Sequence, residues 1–154
     1  MAVNVTVRAA VPEDLTTVVG LDTASSGMAK PDYWEGIFKT YVPDQKGERY
    51  LLVAEVGGQP VGFVVGEVRA WEFGSPPCGW VFGLGVDNDH REHHVGSLLM
   101  EAIFARFRDD KVTSVRTNVS RLDTLNLSFF RSLGMTAGPY VQLEISLDDD
   151  QAAS

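Results

Sequence analysis

The sequence predicts an α/β fold with a mixed sheet, in the order β α α β β β α β α β(β). Three observations carry that expectation. Two apolar strands meet at Gly57-Gly58, a strand–helix–strand passage follows them, and 154 residues hold one core with no room for a second large domain. A tight hairpin pairs its strands antiparallel, whereas strands joined through a helix lie parallel, so the sheet is mixed. One domain over residues 1–154 is expected, with a core of about 4–147 and an acidic tail over 148–154.

Val3, Val5 and Val7 alternate with Asn4, Thr6 and Arg8, the period of a half-buried strand. Pro12 before Glu13 and Asp14 starts a helix running to about Ala24, because proline suits the first turn and acids suit the positive end of the dipole. Tyr33, Trp34, Ile37, Phe38 and Tyr41 recur at helical spacing and stop before Pro43. Residues 50–56 and 61–70 are the hairpin strands, since paired glycines tolerate the positive φ of a tight turn. Residues 79–86 form a fourth strand, with Trp80, Phe82, Leu84 and Val86 on one side and Gly79, Val81, Gly83 and Gly85 on the other. Glycine inside a strand marks a kink or bulge, or the close approach of another backbone or a ligand. Val95, Leu98, Leu99, Ala102, Ile103 and Phe107 trace the stripe of a third helix, from about His94 to near Asp110. Residues 113–118 form a fifth strand. Leu122, Leu125, Phe129 and Leu133 mark a fourth helix closed by Gly134, and residues 140–147 end the fold as a last strand or a broken pair.

Composition narrows the function classes. Thirteen Lys and Arg against 21 Asp and Glu give a formal net charge of -8, which argues against coating nucleic acid or an anionic membrane and favours cationic or amine-bearing partners. The single cysteine, Cys78, forms no internal disulfide, as in a reducing compartment, and has no evident activating partner. No apolar window long enough to cross a membrane occurs, and the N-terminus lacks a basic stretch followed by an apolar one, so a cytoplasmic protein is expected.

The chemistry concentrates where the fourth strand turns into the third helix. The first backbone N–H groups of a helix lack intrahelical partners and sit at its positive end, so Arg91, Glu92, His93, His94, Val95, Gly96 and Ser97 outline an anion site. His90, His93 and His94 have helical spacing for one metal ion, but no cysteine or second ligand cluster accompanies them, and no metal is expected.

These residues resemble the GNAT superfamily of acyl-CoA N-acyltransferases, whose Gln/Arg-x-x-Gly-x-Gly/Ala motif follows the fourth strand. The matching run here is Arg91-Glu92-His93-His94-Val95-Gly96, with His94 in place of the middle glycine. Thr6-Val7-Arg8-Ala9-Ala10-Val11-Pro12-Glu13-Asp14-Leu15 is similar to the family's opening strand and helix start. Phe129-Phe130-Arg131-Ser132-Leu133-Gly134-Met135 is similar to its phenylalanine-tyrosine…glycine-phenylalanine ending. The resemblance implies transfer of an acetyl group from acetyl-CoA to a small-molecule or protein amine. It puts the pantetheine arm alongside Leu84, Gly85 and Val86 and the pyrophosphate on residues 91–97. Asp123 stands where the family usually has an asparagine contacting the cofactor, and Phe130 where it has a tyrosine near the thioester sulfur. Asn126 shares their helix face by spacing. Phenylalanine has no proton to give, so a binding module with weak or lost chemistry is the alternative reading.

His94 has two outcomes. Held at positive φ it costs about 1 to 2 kcal/mol, whereas a right-handed backbone carries no penalty and leaves the imidazole to donate to phosphate. Acyl transfer requires a neutral amine, and Glu67, among valine, phenylalanine and glycine on the third strand, is the candidate base, with pairing to Arg69 or an outward edge position as its structural alternative. Glu72 and Tyr140 are substitutes on the acceptor side. Tyr33 and Trp34 lie where the resemblance implies an acceptor wall.

Overall fold

The structure is a computed structural model that describes residues 4–45 and 47–148, and its contacts divide the chain into two units, Met1–Asn118 and Val119–Ser154. The first unit holds β1 (Val5–Ala9), α1 (Leu15–Ser26), α2 (Pro31–Tyr41), β2 (Arg49–Val56), β3 (Gln59–Arg69), β4 (Cys78–Val86), α3 (Val95–Asp109) and β5 (Val115–Thr117). The second holds α4 (Thr124–Ser132). Val3, expected in the first strand, lies outside the described residues.

The five strands form one sheet in sequence order. β1 to β4 pair antiparallel, and β5 pairs parallel to β4 after the α3 connection, so the sheet is mixed as expected. The β2–β3 turn places Gly57 at φ 58° and Gly58 at φ 79°, the double left-handed geometry that favours glycine at both positions. α1 begins one turn later than expected, because Pro12–Asp14 forms a short 3-10 turn ahead of it.

Strand alternation divides the core in two. Leu51, Val53, Phe63 and Val65 join Val18 of α1 and Trp34, Phe38 and Tyr41 of α2 on one face of the sheet. The three α2 residues lie four and then three apart, which aligns them on one side of the helix. On the other face α3 buries Val95, Leu99, Met100, Ile103 and Phe107.

Two expectations about the C-terminal part are corrected. Residues 140–147 form no strand, and Val141, Leu143, Ile145 and Leu147 are exposed; alternation alone makes no strand where no neighbour supplies ladder hydrogen bonds. α4 starts at Thr124, so Leu122 lies ahead of it; on the helix Phe130 is buried and Leu125 exposed, a different side than the leucine spacing suggested.

A buried acid ties the start of α1 to the sheet. The Asp14 carboxylate accepts from Arg8 Nη1 at 2.7 Å, Arg8 Nη2 at 3.0 Å and the Val11 N–H at 2.8 Å, while Arg8 also pairs with Glu55. Burial alone would raise the Asp14 carboxyl, but the hydrogen bonds from Arg8 and Val11 outweigh it and hold its pKa below the usual range. A depressed folded-state pKa contributes stability that is present above the unfolded value of about 3.9 and is lost as pH falls through the folded value. Asp14→Asn is therefore expected to lower the unfolding free energy by about 2 kcal/mol at neutral pH. Urea unfolding at a series of pH values checks this: the gap between wild type and variant should close below about pH 4, and a gap independent of pH would contradict it.

Candidate active site

β4 is held unevenly along its two edges. β3 pairs with it from Cys78 to Val86, but β5 pairs only at Gly79, Trp80 and Val81, and among the described residues no pairing between β4 and β5 runs beyond that point. The register shifts between Val65 and Gly66, so that Val65 faces Gly83, Gly66 faces Val81, and Phe82 is the extra residue of a bulge. From residue 82 to residue 86, the edge of β4 away from β3 presents backbone polar groups that β5 does not meet. Leu84, Gly85 and Val86 all lie there.

The bulge changes the meaning of the glycine-rich face. The four glycine-side positions do not share one face: a Cβ on Gly79 would strike Phe107, one on Gly83 would strike Val65, and one on Gly85 would strike Phe63, each closer than 3.0 Å. Those positions are glycine because core rings and side chains occupy the space. These glycines therefore do not by themselves open a space for a ligand.

The turn after β4 is a 3-10 segment, Asn88–His93, anchored by Asp87, whose carboxylate accepts from the Asp89 N–H at 3.4 Å and meets His90 Nδ1 at 3.1 Å. The segment ends at His94, with φ 58° and ψ 27°. Of the two outcomes for His94, the strained one is realised: a histidine takes the left-handed conformation that the GNAT motif gives to glycine. Its side chain does not cap α3, and Leu98 is the first to bond back, through its N–H to the His94 carbonyl at 3.1 Å. The N–H groups of Val95, Gly96 and Ser97 thus stand ahead of the first intrahelical bond. Arg91 and His94 are exposed beside them, whereas the side chains of Glu92 and His93 lie outside the described set.

A second cluster forms on the α2 face of the sheet. Glu67 lies opposite Trp80 on β4 and Arg49 on β2. Its Oε1 accepts from the Tyr41 hydroxyl at 3.0 Å and lies 3.7 Å from Arg69 Nη2. The Glu67 side chain is 27% exposed, so it is anchored and still reachable. Burial first, and then the hydrogen bond to Glu67, push the Tyr41 phenol up to about 12. Tyr33 is half-exposed and its phenol is raised by burial and by the charges of Asp22 and Glu67. Trp34 corrects the expectation of an acceptor wall: it is 2% exposed, packs on Phe63, and donates its indole N–H to Asp22 at 2.9 Å. Glu72 is exposed in the β3–β4 loop, in a 3-10 turn.

In the second unit, Asp123 is the N-cap of α4, accepting from the Asn126 N–H at 3.1 Å and from Asn126 Nδ2 at 2.7 Å. It precedes the helix it was expected to share with Asn126 and Phe130, because an acid in that position satisfies orphan N–H groups. Phe130 is buried against Phe129, with ring centroids 5.3 Å apart. Tyr140 is half-exposed in the irregular segment. No group of three or more His, Cys, Asp or Glu among the described residues is placed to hold a metal. The sequence reading missed Tyr41 as a partner of Glu67, because its place in the apolar stripe marked it only as core.

The profile of the Acetyltransferase (GNAT) family matches residues 16–135. An L-2,4-diaminobutyric acid acetyltransferase from Nocardia farcinica (strain IFM 10152) is 29% identical over 87 residues, which are 56% of this chain and 44% of that protein. The chain therefore matches less than half the length of this curated relative. The aminoglycoside N-acetyltransferase AAC(6')-Iy in complex with CoA superposes with a TM-score of 0.79 at 15% identity, over 96% of this chain and 98% of the other. A ribosomal-protein-alanine N-acetyltransferase from Brucella melitensis biovar Abortus 2308 does so with a TM-score of 0.73 at 18% identity, over 94% and 100%.

Two outcomes follow from the geometry. His94→Gly is expected to stabilise the fold by about 0.5 to 1 kcal/mol, the relief of left-handed strain less the entropy glycine adds to the unfolded chain; thermal unfolding reads it, and a loss of stability would contradict the strain. Phenolate absorbance should show Tyr41 titrating at about 12, alongside Tyr50, which burial and its 2.6 Å bond to Asp110 also push up to about 12. Because the neutral phenols are favoured in the fold, their stabilisation is complete below about pH 10 and is lost as pH rises through 12. Tyr41→Phe should remove one of these two late titrations.

Proposed function

The chain belongs to the acetyltransferase (GNAT) family, and on that premise we propose that it transfers an acetyl group from acetyl-CoA directly to a primary amine. The observation that carries this reading is the open edge of β4 over residues 82–86, leading through residue 94 to the uncapped start of α3. A pantetheine amide chain suits a strand edge with unmet N–H and C=O groups, as a peptide does when it adds to a sheet. A pyrophosphate suits the N–H groups of Val95, Gly96 and Ser97 at the positive end of the helix, with Arg91 and His94 as flanking donors. When bound, acetyl-CoA supplies a thioester carbonyl, whose acetyl group passes to the amine with loss of the thiol.

The chain's own residues then have three tasks. The β4 edge and α3 fix the cofactor. Glu67, held by Tyr41 and reachable from solvent, takes the proton of the incoming ammonium, which otherwise has a pKa of about 10.4. Water or another donor protonates the departing thiolate, since Phe130 has no proton to give.

We place the acceptor among small-molecule amines ahead of protein amines, because the diaminobutyrate relative shares sequence with this chain and the ribosomal-protein enzyme shares the fold. The whole of 1–154 reads as one catalytic domain, and the buried, unpaired Cys78 suits the cytoplasm. A second reading rests on Phe130: a GNAT-fold module that binds the cofactor without chemistry.

Calorimetry with acetyl-CoA followed by thiol release across a panel of amines tests both. Binding with amine-dependent thiol release is expected, and Glu67→Gln should lower kcat by about 10²- to 10⁴-fold with acetyl-CoA affinity unchanged. Binding without thiol release would favour the module, and no binding at millimolar cofactor would overturn both.

A further inference from the structure

The groups around Glu67 carry more positive charge than an acceptor made only of ammonium groups would favour. Arg49 and Arg69 stand on either side of it, Arg49 as its cross-strand neighbour on β2 and Arg69 two residues along β3. The Arg69 guanidinium lies 5.0 Å from the Trp80 ring centroid and 6.0 Å from that of Phe82, and Arg49 lies 5.9 Å from the Tyr41 ring. Tyr41 meets Phe82 edge to face at 6.0 Å, which joins both walls into one surface. The approach of Arg69 to Glu67, at 3.7 Å, is longer than a hydrogen bond, so it engages no guanidinium donor there. Resting on aromatic faces, a guanidinium keeps its in-plane N–H fork for a planar anion. The Tyr41 phenol feels one carboxylate, Glu67, and two guanidiniums, Arg49 and Arg69. The Tyr33 phenol, toward the start of α2, instead feels the carboxylates Asp22 and Glu67, offset by Lys30.

We propose that this surface binds an acceptor that is itself an α-amino acid with a side-chain amine, its carboxylate held by Arg69 with Arg49 and its ammonium directed at Glu67. The inference rests on the transferase reading and deepens it. A diamine without the carboxylate leaves two guanidiniums facing only cations, whereas the amino acid sets its carboxylate against the guanidiniums and one of its two ammoniums against Glu67. The chain's net charge of -8 pointed to basic acceptors in general; the local arrangement selects those that carry an acid as well.

Matched acceptors test it: ornithine against putrescine and lysine against cadaverine, each pair differing only in the carboxylate, assayed by thiol release with the full chain. Wild type is expected to favour the amino acid of at least one pair by about tenfold or more in kcat/KM. Arg69→Gln should raise KM for that amino acid about tenfold and lower the ratio of kcat/KM between the amino acid and its diamine by a similar factor, and Arg69→Lys should restore part of that ratio as a point charge without the fork. Unchanged thermal unfolding and acetyl-CoA affinity show that the variants are folded. Preference for the diamines, or an equal loss on both members of a pair, overturns this inference and leaves the transferase reading standing. Acetyl-CoA binding with no thiol release from any of the four overturns both.

Discussion

The arrangement of this protein depends on where β5 stops pairing with β4. From Gly79 to Val81 the strand is held on both edges; beyond Val81, among the described residues, β3 is the strand that pairs with it. Backbone N–H and C=O groups on a strand edge must find partners in water, in another strand or in a ligand. The Phe82 bulge falls at the same place, and Phe82 leans toward the α2 face, where it packs against the core cluster. Three consequences meet within a few residues: a free strand edge, a break in alternation, and an aromatic wall beside Glu67. The proposed cofactor edge and the proposed acceptor surface therefore share one strand.

The turn after β4 shows how the fold tolerates a departure from the family pattern. The chain must reverse direction between β4 and α3, and the residue joining the 3-10 turn to the helix takes φ 58°. Glycine would adopt that conformation freely, and His94 does so under strain of about 1 to 2 kcal/mol. Asp87 anchors the beginning of the turn through Asp89 and His90, and its own N–H bonds to the Val61 carbonyl at 2.8 Å. Hydrogen bonds at one end and the packing of Val95 at the other over-determine the backbone between them. Strain of this kind persists where the surrounding structure fixes the backbone.

Much of the fold was legible in local pattern. Gly57-Gly58 between two apolar runs specifies a hairpin, because few other pairs accept two left-handed residues in succession. The α2 stripe ends at Tyr41 as its spacing required. The glycines of β4 marked a kink, a bulge or a close approach, but not the crowding by Phe63, Val65 and Phe107 that requires them, since those side chains come from distant parts of the chain. Asp123 read as a face of α4, yet a helix start competes for a short acid, and capping won. The alternation over residues 140–147 implied a strand that does not form. At the site, Glu67 and its pairing with Arg69 were both legible; the Tyr41 bond and the neighbourhood of Arg49 were not, since they arise from helix docking and strand register.

We propose that the β4 edge beyond Val81 and the open start of α3 act as one binding surface. Amide hydrogen exchange, followed residue by residue with and without acetyl-CoA, tests it most directly. Slowed exchange is expected over residues 82–86 and at Val95, Gly96 and Ser97, with Gly79, Trp80 and Val81 unchanged because β5 already protects them. Saturating acetyl-CoA that protects neither segment, or that protects only residues elsewhere in the chain, would contradict it.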